Sequence, residues 1–126
     1  MRLLVDSHVA LWWLDGNDAL GPTCRSGLES ADEVFFSAVT PWELGIKRSL
    51  GKLSFPDGLI EALQESGFAG LPISVDHAVR AADLPPHHRD PFDRMLVAQA
   101  RAEALTLVTA DRTLAPYEVP LLDARA

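Results

Sequence analysis

A chain of 126 residues that is 48% apolar can bury a single core and is too hydrophobic to stay disordered. A formal net charge of -7 argues against a nucleic-acid binder that relies on a basic surface alone, and the single cysteine, Cys24, excludes an internal disulfide. No apolar run is long enough to span a bilayer and MRLLVD lacks a leader pattern, so a cytoplasmic protein is expected.

In chain order, Arg2–Val5 predicts a short buried strand closed by Asp6. Ser7–Leu14 predicts a helix whose Val9, Ala10, Trp12, Trp13 and Leu14 make a broad apolar surface, and Asp15-Gly16-Asn17-Asp18 is a turn. A helix from Pro22 to Ser30, starting near Leu20, precedes a second strand, Glu33–Ser37. Thr40-Pro41-Trp42-Glu43 combines an N-cap threonine, a first-position proline and a third-position glutamate, predicting a helix to about Leu50 that stops at Gly51. Leu53–Pro56 reads as a connector and Asp57–Ser66 as a helix ended by Gly67.

Leu71–Ser74 is the third predicted strand, followed by a helix from Val75 or Asp76 to about Ala82. Asp83–Arg89 holds two prolines and two histidines and reads as a loop. Asp90-Pro91 opens the longest helix, to about Ala104; Leu105–Thr109 is the fourth strand. A short helix after Asp111 leads to a last strand around Val119–Leu122. Alternating strands and helices imply one α/β domain over residues 1–126, an αβα sandwich around a mostly parallel sheet of four to five strands.

Four acids stand where a strand gives way to a helix: Asp6, Glu43, Asp93 and Asp111. Each has a plain structural reading. Asp6 and Asp111 suit the N-caps of the helices that follow, Glu43 suits a capping box with Thr40, and Asp93 suits the first turn behind an Asp90 cap. Together they carry a further meaning, because a parallel sheet gathers the carboxyl ends of its strands at one edge, where ligands bind. Carboxylates crowded there repel one another unless a cation joins them. An oxygen-only donor set suits Mg2+ or Mn2+, which can polarise a phosphodiester and activate water without a histidine base or a covalent nucleophile.

The segments LLVDSHVALWWL, VTPWELGIKRSLGKL, HRDPFDRMLVAQA and LTLVTADRTL resemble the PIN-domain ribonucleases, and in particular the VapC-like toxins of toxin–antitoxin pairs. The resemblance spans nearly the whole chain. It implies a PIN-like parallel-sheet fold, a Mg2+- or Mn2+-dependent endoribonuclease acting on RNA, a cognate VapB-like antitoxin and a homodimer. By position it assigns the acidic catalytic and metal-binding set to Asp6, Glu43, Asp93 and Asp111. Ser7 and Thr109 then stand as supporting hydroxyls, and Asp90 remains mainly a cap.

Lys47, Arg89 and Arg94 are candidate contacts to the RNA backbone, against the plainer reading of surface charges or ion pairs near a helix cap. Zinc is not expected, since His8, His87 and His88 lack ligand spacing; His8 is expected to line the cleft. Of Trp12, Trp13 and Trp42, at least one of the adjacent pair should pack in the core while the others offer base-stacking or partner surfaces. Cys24 reads as a small apolar helix residue.

Other readings fit less well. A haloacid-dehalogenase-like phosphatase would need a second aspartate where His8 stands, and a phosphate-receiver module would need a late lysine, whereas no lysine follows Lys52. An inactive PIN-fold binding module would have no reason to keep all four acids.

Overall fold

The computed structural model describes residues 1–126. Five strands, β1 (Arg2–Val5), β2 (Glu33–Ser37), β3 (Ala69–Leu71), β4 (Thr106–Thr109) and β5 (Leu121–Asp123), form one sheet in the order β3-β2-β1-β4-β5. Every neighbouring pair is parallel, with Leu4 opposite Phe35 on one side and Leu107 on the other. The helices are α1 (Ser7–Asp15), α2 (Pro22–Ser30), α3 (Val39–Ser49), α4 (Leu59–Glu65), α5 (Val75–Asp83) and α6 (Pro91–Ala102), with a 3-10 helix over Arg112–Tyr117.

Both faces of the sheet are covered, as an all-parallel sheet requires. Alternate residues of β1 serve opposite layers: Leu3 and Val5 pack with Val9, Cys24, Leu28 and Leu63 of α1, α2 and α4, whereas Leu4 packs with Val39, Leu96, Val97 and Leu107. Cys24 is buried within the first layer, as its helical setting suggested. No helix is long and apolar enough to cross a membrane.

The start of α3 differs from the Thr40 N-cap reading. The helix begins at Val39 behind Ala38, with no capping bond from the residue at that cap, and the Ser37 hydroxyl accepts from the Val39 amide at 3.0 Å. Ser37 captures the free amide first, so Thr40 and Glu43 are buried side chains inside the helix rather than a capping box. A capping box does form elsewhere: Ser74 accepts from the His77 amide and His77 Nδ1 accepts from the Ser74 amide, both at 3.0 Å.

The third strand also moves. It occupies Ala69–Leu71 instead of Leu71–Ser74, pairing Phe35 with Ala69 and Ser37 with Leu71. Pro72 has no amide to give to a ladder, and Ser74 is taken by the cap of α5. Helix α4 is likewise shorter than Asp57–Ser66, because Gly58 holds a left-handed φ of 85° immediately before it.

Candidate metal centre

With β1 central and β2 and β4 beside it, the carboxyl ends of these strands open onto one edge. Asp6 follows β1 and caps α1, its Oδ1 accepting from the Val9 amide at 2.9 Å. Glu43 lies in α3 with its carboxylate held from two sides: the Ser7 hydroxyl donates to Oε1 at 2.9 Å and Lys47 Nζ donates to Oε2 at 2.7 Å. The Thr40 hydroxyl is 3.3 Å from that of Ser7, so a buried chain of hydroxyls ties α1 to α3 behind the acids.

Asp93 comes from the first turn of α6, behind the Asp90 cap, whose Oδ1 accepts from the Phe92 amide at 2.8 Å. Asp111 follows β4 and also caps, accepting at Oδ1 from the Thr113 amide and hydroxyl at 2.9 and 2.6 Å. Thr109 accepts from the Asp111 amide at 3.0 Å, which fixes the turn. The structure therefore brings Asp6, Glu43, Asp93 and Asp111 together along one cleft of about 340 Å³, with Asp90, Ser7 and His8 also on its walls. Capping and cleft placement coexist at Asp6 and Asp111, because Oδ1 of each carboxylate serves the helix, while Oδ2 of Asp111 meets His88 Nε2 at 3.1 Å.

The acids are electrostatically strained. Burial pushes the Asp6 carboxyl above the ordinary range, with Glu43 adding to the effect and the Thr109 and Val9 hydrogen bonds and His8 opposing it. Asp93 is raised to about 7, first by burial and then by Asp90, with Glu43 and Asp6 pushing the same way and His88 opposing. Asp111 is lowered: burial acts upward, but the Thr113 hydrogen bonds and His88 outweigh it. Lys47 is raised by its hydrogen bond to Glu43. A carboxyl raised to about 7 by burial first, with Asp90, Glu43 and Asp6 adding to it, sits among unbalanced negative charge, and the donors are oxygens, so the site fits a hard divalent cation.

The PIN domain profile matches residues 3–119. This chain belongs to the PIN-domain family. Among curated proteins, it is 32% identical to Ribonuclease VapC22 of Mycobacterium tuberculosis (strain ATCC 25618 / H37Rv) over 126 residues, covering 94% of this chain and 93% of that one. It is thus a PIN domain of the VapC ribonuclease kind. Its fold matches a chain of VapBC2 from Rickettsia felis, solved bound to a promoter DNA fragment, with a TM-score of 0.71 at 14% identity and 98% of each chain covered. A chain of a toxin-antitoxin complex from Klebsiella pneumoniae matches with a TM-score of 0.70 at 18% identity, again over 98% of each chain.

Within this PIN domain His88 is a site residue that its sequence spacing did not reveal. Its Nε2 lies 3.1 Å from Asp111 Oδ2 and 3.5 Å from Asp93 Oδ2. Its Nδ1 accepts from the Asp90 amide at 3.0 Å, which leaves the proton on Nε2. Although one ligand atom from each of His88, Asp93 and Asp111 falls within 4.8 Å of the others, His88 in this tautomer is a donor to the acids and not a ligand. The available signal was its place two residues before the capping Asp90, which returns its ring to the helix start.

Arg94 is put to a different use from the RNA contact expected of it. Its guanidinium donates to the carbonyls of Ala81, Leu84 and Pro85 at 2.9, 2.8 and 3.0 Å, and so pins the loop between α5 and α6. Those donors are not free for a phosphate. Arg89 is exposed and makes no ion pair, whereas Lys47 lines the cleft bound to Glu43. His8 lines the cleft as expected. Trp13 packs on Phe68 with ring centroids 5.3 Å apart, Trp12 lines the cleft, and Trp42 is exposed with an edge contact to Phe92.

Proposed function

We propose that this PIN domain is a divalent-metal-dependent endoribonuclease, the toxin of a toxin–antitoxin pair, which hydrolyses RNA phosphodiester bonds and is held in check by a VapB-like antitoxin. The observation that carries this reading is the convergence of four acids from four separate segments on one cleft, with Asp93 raised to about 7. Kinship with a protein named Ribonuclease VapC22 supports RNA as the substrate, and the fold shared with toxin–antitoxin chains supports the antitoxin. We also infer a cytoplasmic homodimer, as in the toxins this chain resembles.

Asp6, Glu43, Asp93 and Asp111 would hold Mg2+ or Mn2+, which polarises the scissile phosphate and lowers the pKa of a water nucleophile. The rest is positioning by the chain itself. Ser7 and Lys47 keep the Glu43 carboxylate pointed into the cleft, and Thr109 and Thr113 fix the turn that carries Asp111. His88 points its Nε2 proton at Asp111 and Asp93 while its ring stays tied to the Asp90 amide.

The test is to incubate purified protein with total cellular RNA in Mg2+, in Mn2+ and in EDTA, and to map new 5′ ends by sequencing. Asp6→Asn runs beside it. Discrete cuts that require metal and vanish in the variant are expected. Identical cuts from Asp6→Asn, or none from either protein, would overturn the reading in favour of a PIN-fold binding module.

A further inference from the structure

The cleft holds two permanent cations in very different circumstances. Lys47 is bound to Glu43 at 2.7 Å, so its charge is already answered within the protein. Arg125, also on the lining of the cleft, makes no ion pair; its guanidinium instead lies over the Trp12 ring, 5.3 Å from the centroid. Trp12 lines the same cleft from α1. The pair thus presents an aromatic surface and an uncommitted guanidinium beside the acids.

The placement of Arg125 is built by the backbone around it. The Ala124 amide donates to the Thr109 carbonyl at 3.0 Å, which fastens this segment to the end of β4, two residues before Asp111. The Gly21 amide donates to the Ala124 carbonyl at 2.8 Å and the Cys24 amide to the Ala126 carbonyl at 3.0 Å. The approach to Gly21 is so close that an added Cβ would stand 1.9 Å from the Ala126 oxygen. The Asp123 carboxylate accepts from the Arg125 amide at 2.9 Å, which fixes the residue's own backbone. Arg125 therefore sits on the mouth of the cleft from an anchored segment, not from a loose end.

We propose that Trp12 and Arg125 form the subsite that receives the nucleotide next to the scissile phosphate, the guanidinium binding its phosphate and the indole stacking on its base. This rests on the ribonuclease reading given above. A cleft lined by Asp6, Glu43, Asp90, Asp93 and Asp111 repels a polyanion everywhere except at a bound metal, so a second fixed positive point is needed to orient the strand. Arginine suits the role because its planar fork binds phosphate in two-point fashion and stacks on an aromatic face at the same time. Single-stranded RNA is the matching ligand, since it offers an unpaired base to the indole and a phosphate to the fork. Both residues touch substrate in this arrangement but neither takes part in bond breaking.

The test measures binding and cleavage separately. Fluorescence anisotropy of a fluorescein-labelled, mixed-sequence single-stranded RNA dodecamer is followed in EDTA across a salt series for wild type, Arg125→Ala, Arg125→Lys and Trp12→Phe. Arg125→Ala should weaken binding about tenfold and reduce the slope of log affinity against log salt by about 0.7, the value for one lost phosphate contact on a single strand. Arg125→Lys should restore the slope but not the full affinity, and Trp12→Phe should keep most of both. In Mn2+, cleavage of the wild-type target by Arg125→Ala should show a raised KM with kcat within about twofold of wild type. Unchanged affinity and slope in Arg125→Ala, from a protein whose melting curve matches wild type, would overturn the subsite while leaving the ribonuclease intact. Failure of the wild type to bind or cut RNA would overturn both.

Discussion

His88 Nε2 lies 3.1 Å from Asp111 Oδ2, and this hydrogen bond joins the loop before α6 to the turn after β4. It places a proton donor between two acids that no lysine or arginine approaches at that distance. His88→Ala should cost the metal-free protein about 1–3 kcal/mol, since it removes a hydrogen bond to a charged group and frees the Asp90 amide. With saturating Mg2+ the loss should shrink, because the ion then answers the same carboxylates. Urea unfolding in EDTA and in Mg2+ checks this, and equal losses in the two conditions would show that His88 acts only on the loop.

Asp93 gives a pH signature. Its carboxyl is raised from 3.8 to about 7 in the fold, so over that interval the folded chain holds a proton that the unfolded chain has lost. More protons bound in the native state means that metal-free stability falls as pH rises from 3.8 to about 7. Asp93→Asn should flatten that contribution, leave the metal-free protein at least as stable as wild type at pH 7, and abolish cleavage. Mn2+ should raise the Tm of wild type at pH 7 much more than that of the variant. Thermal melts across the pH range, with and without Mn2+, give both readouts; a clear loss of metal-free stability in Asp93→Asn would assign the residue to the start of α6 instead.

Ser7 is buried and donates to Glu43 Oε1 at 2.9 Å, beside the Thr40 hydroxyl. Ser7→Ala leaves that carboxylate oxygen without its partner and should cost about 1–2 kcal/mol of stability. The rate of RNA cleavage should drop about tenfold, which corresponds to about 1.4 kcal/mol of lost positioning. Single-turnover cleavage rates and urea unfolding separate the two effects.

Arg94 should behave as a fastening of the fold. Its guanidinium also lies 3.3 Å from the Tyr117 hydroxyl, so removing it leaves several carbonyls and a hydroxyl short of a donor. Arg94→Ala should lose about 2 kcal/mol or more in urea unfolding. RNA affinity measured well below the unfolding transition should stay within about twofold of wild type, and a large drop there would return Arg94 to the list of phosphate contacts.

Local chemistry made most of the elements legible. Apolar runs bounded by acids marked β1, β2 and β4, and Asp90-Pro91 marked the start of α6, where the Asp90 cap stands as expected. The failures were local competitions that spacing alone does not resolve. At α3 the Ser37 hydroxyl reached the Val39 amide before Thr40 was needed, and at β3 the missing amide of Pro72 ended the strand early.

By itself the chain determined that a parallel α/β domain would form and that Asp6 and Asp111 would cap the helices after β1 and β4, with Asp93 in the first turn of α6, because periodicity and capping depend on residues within a turn or two of one another. Glu43 lies inside α3 and not at its start. Only the tertiary structure decided what stands beside those acids. Putting β4 and β5 on the far side of β1 from β2 carries Arg125 to Trp12, and the path of the Asp83–Arg89 loop carries His88 to Asp111. Such meetings join residues 23 positions apart or more, and they follow from strand order and backbone anchoring, which no local pattern encodes.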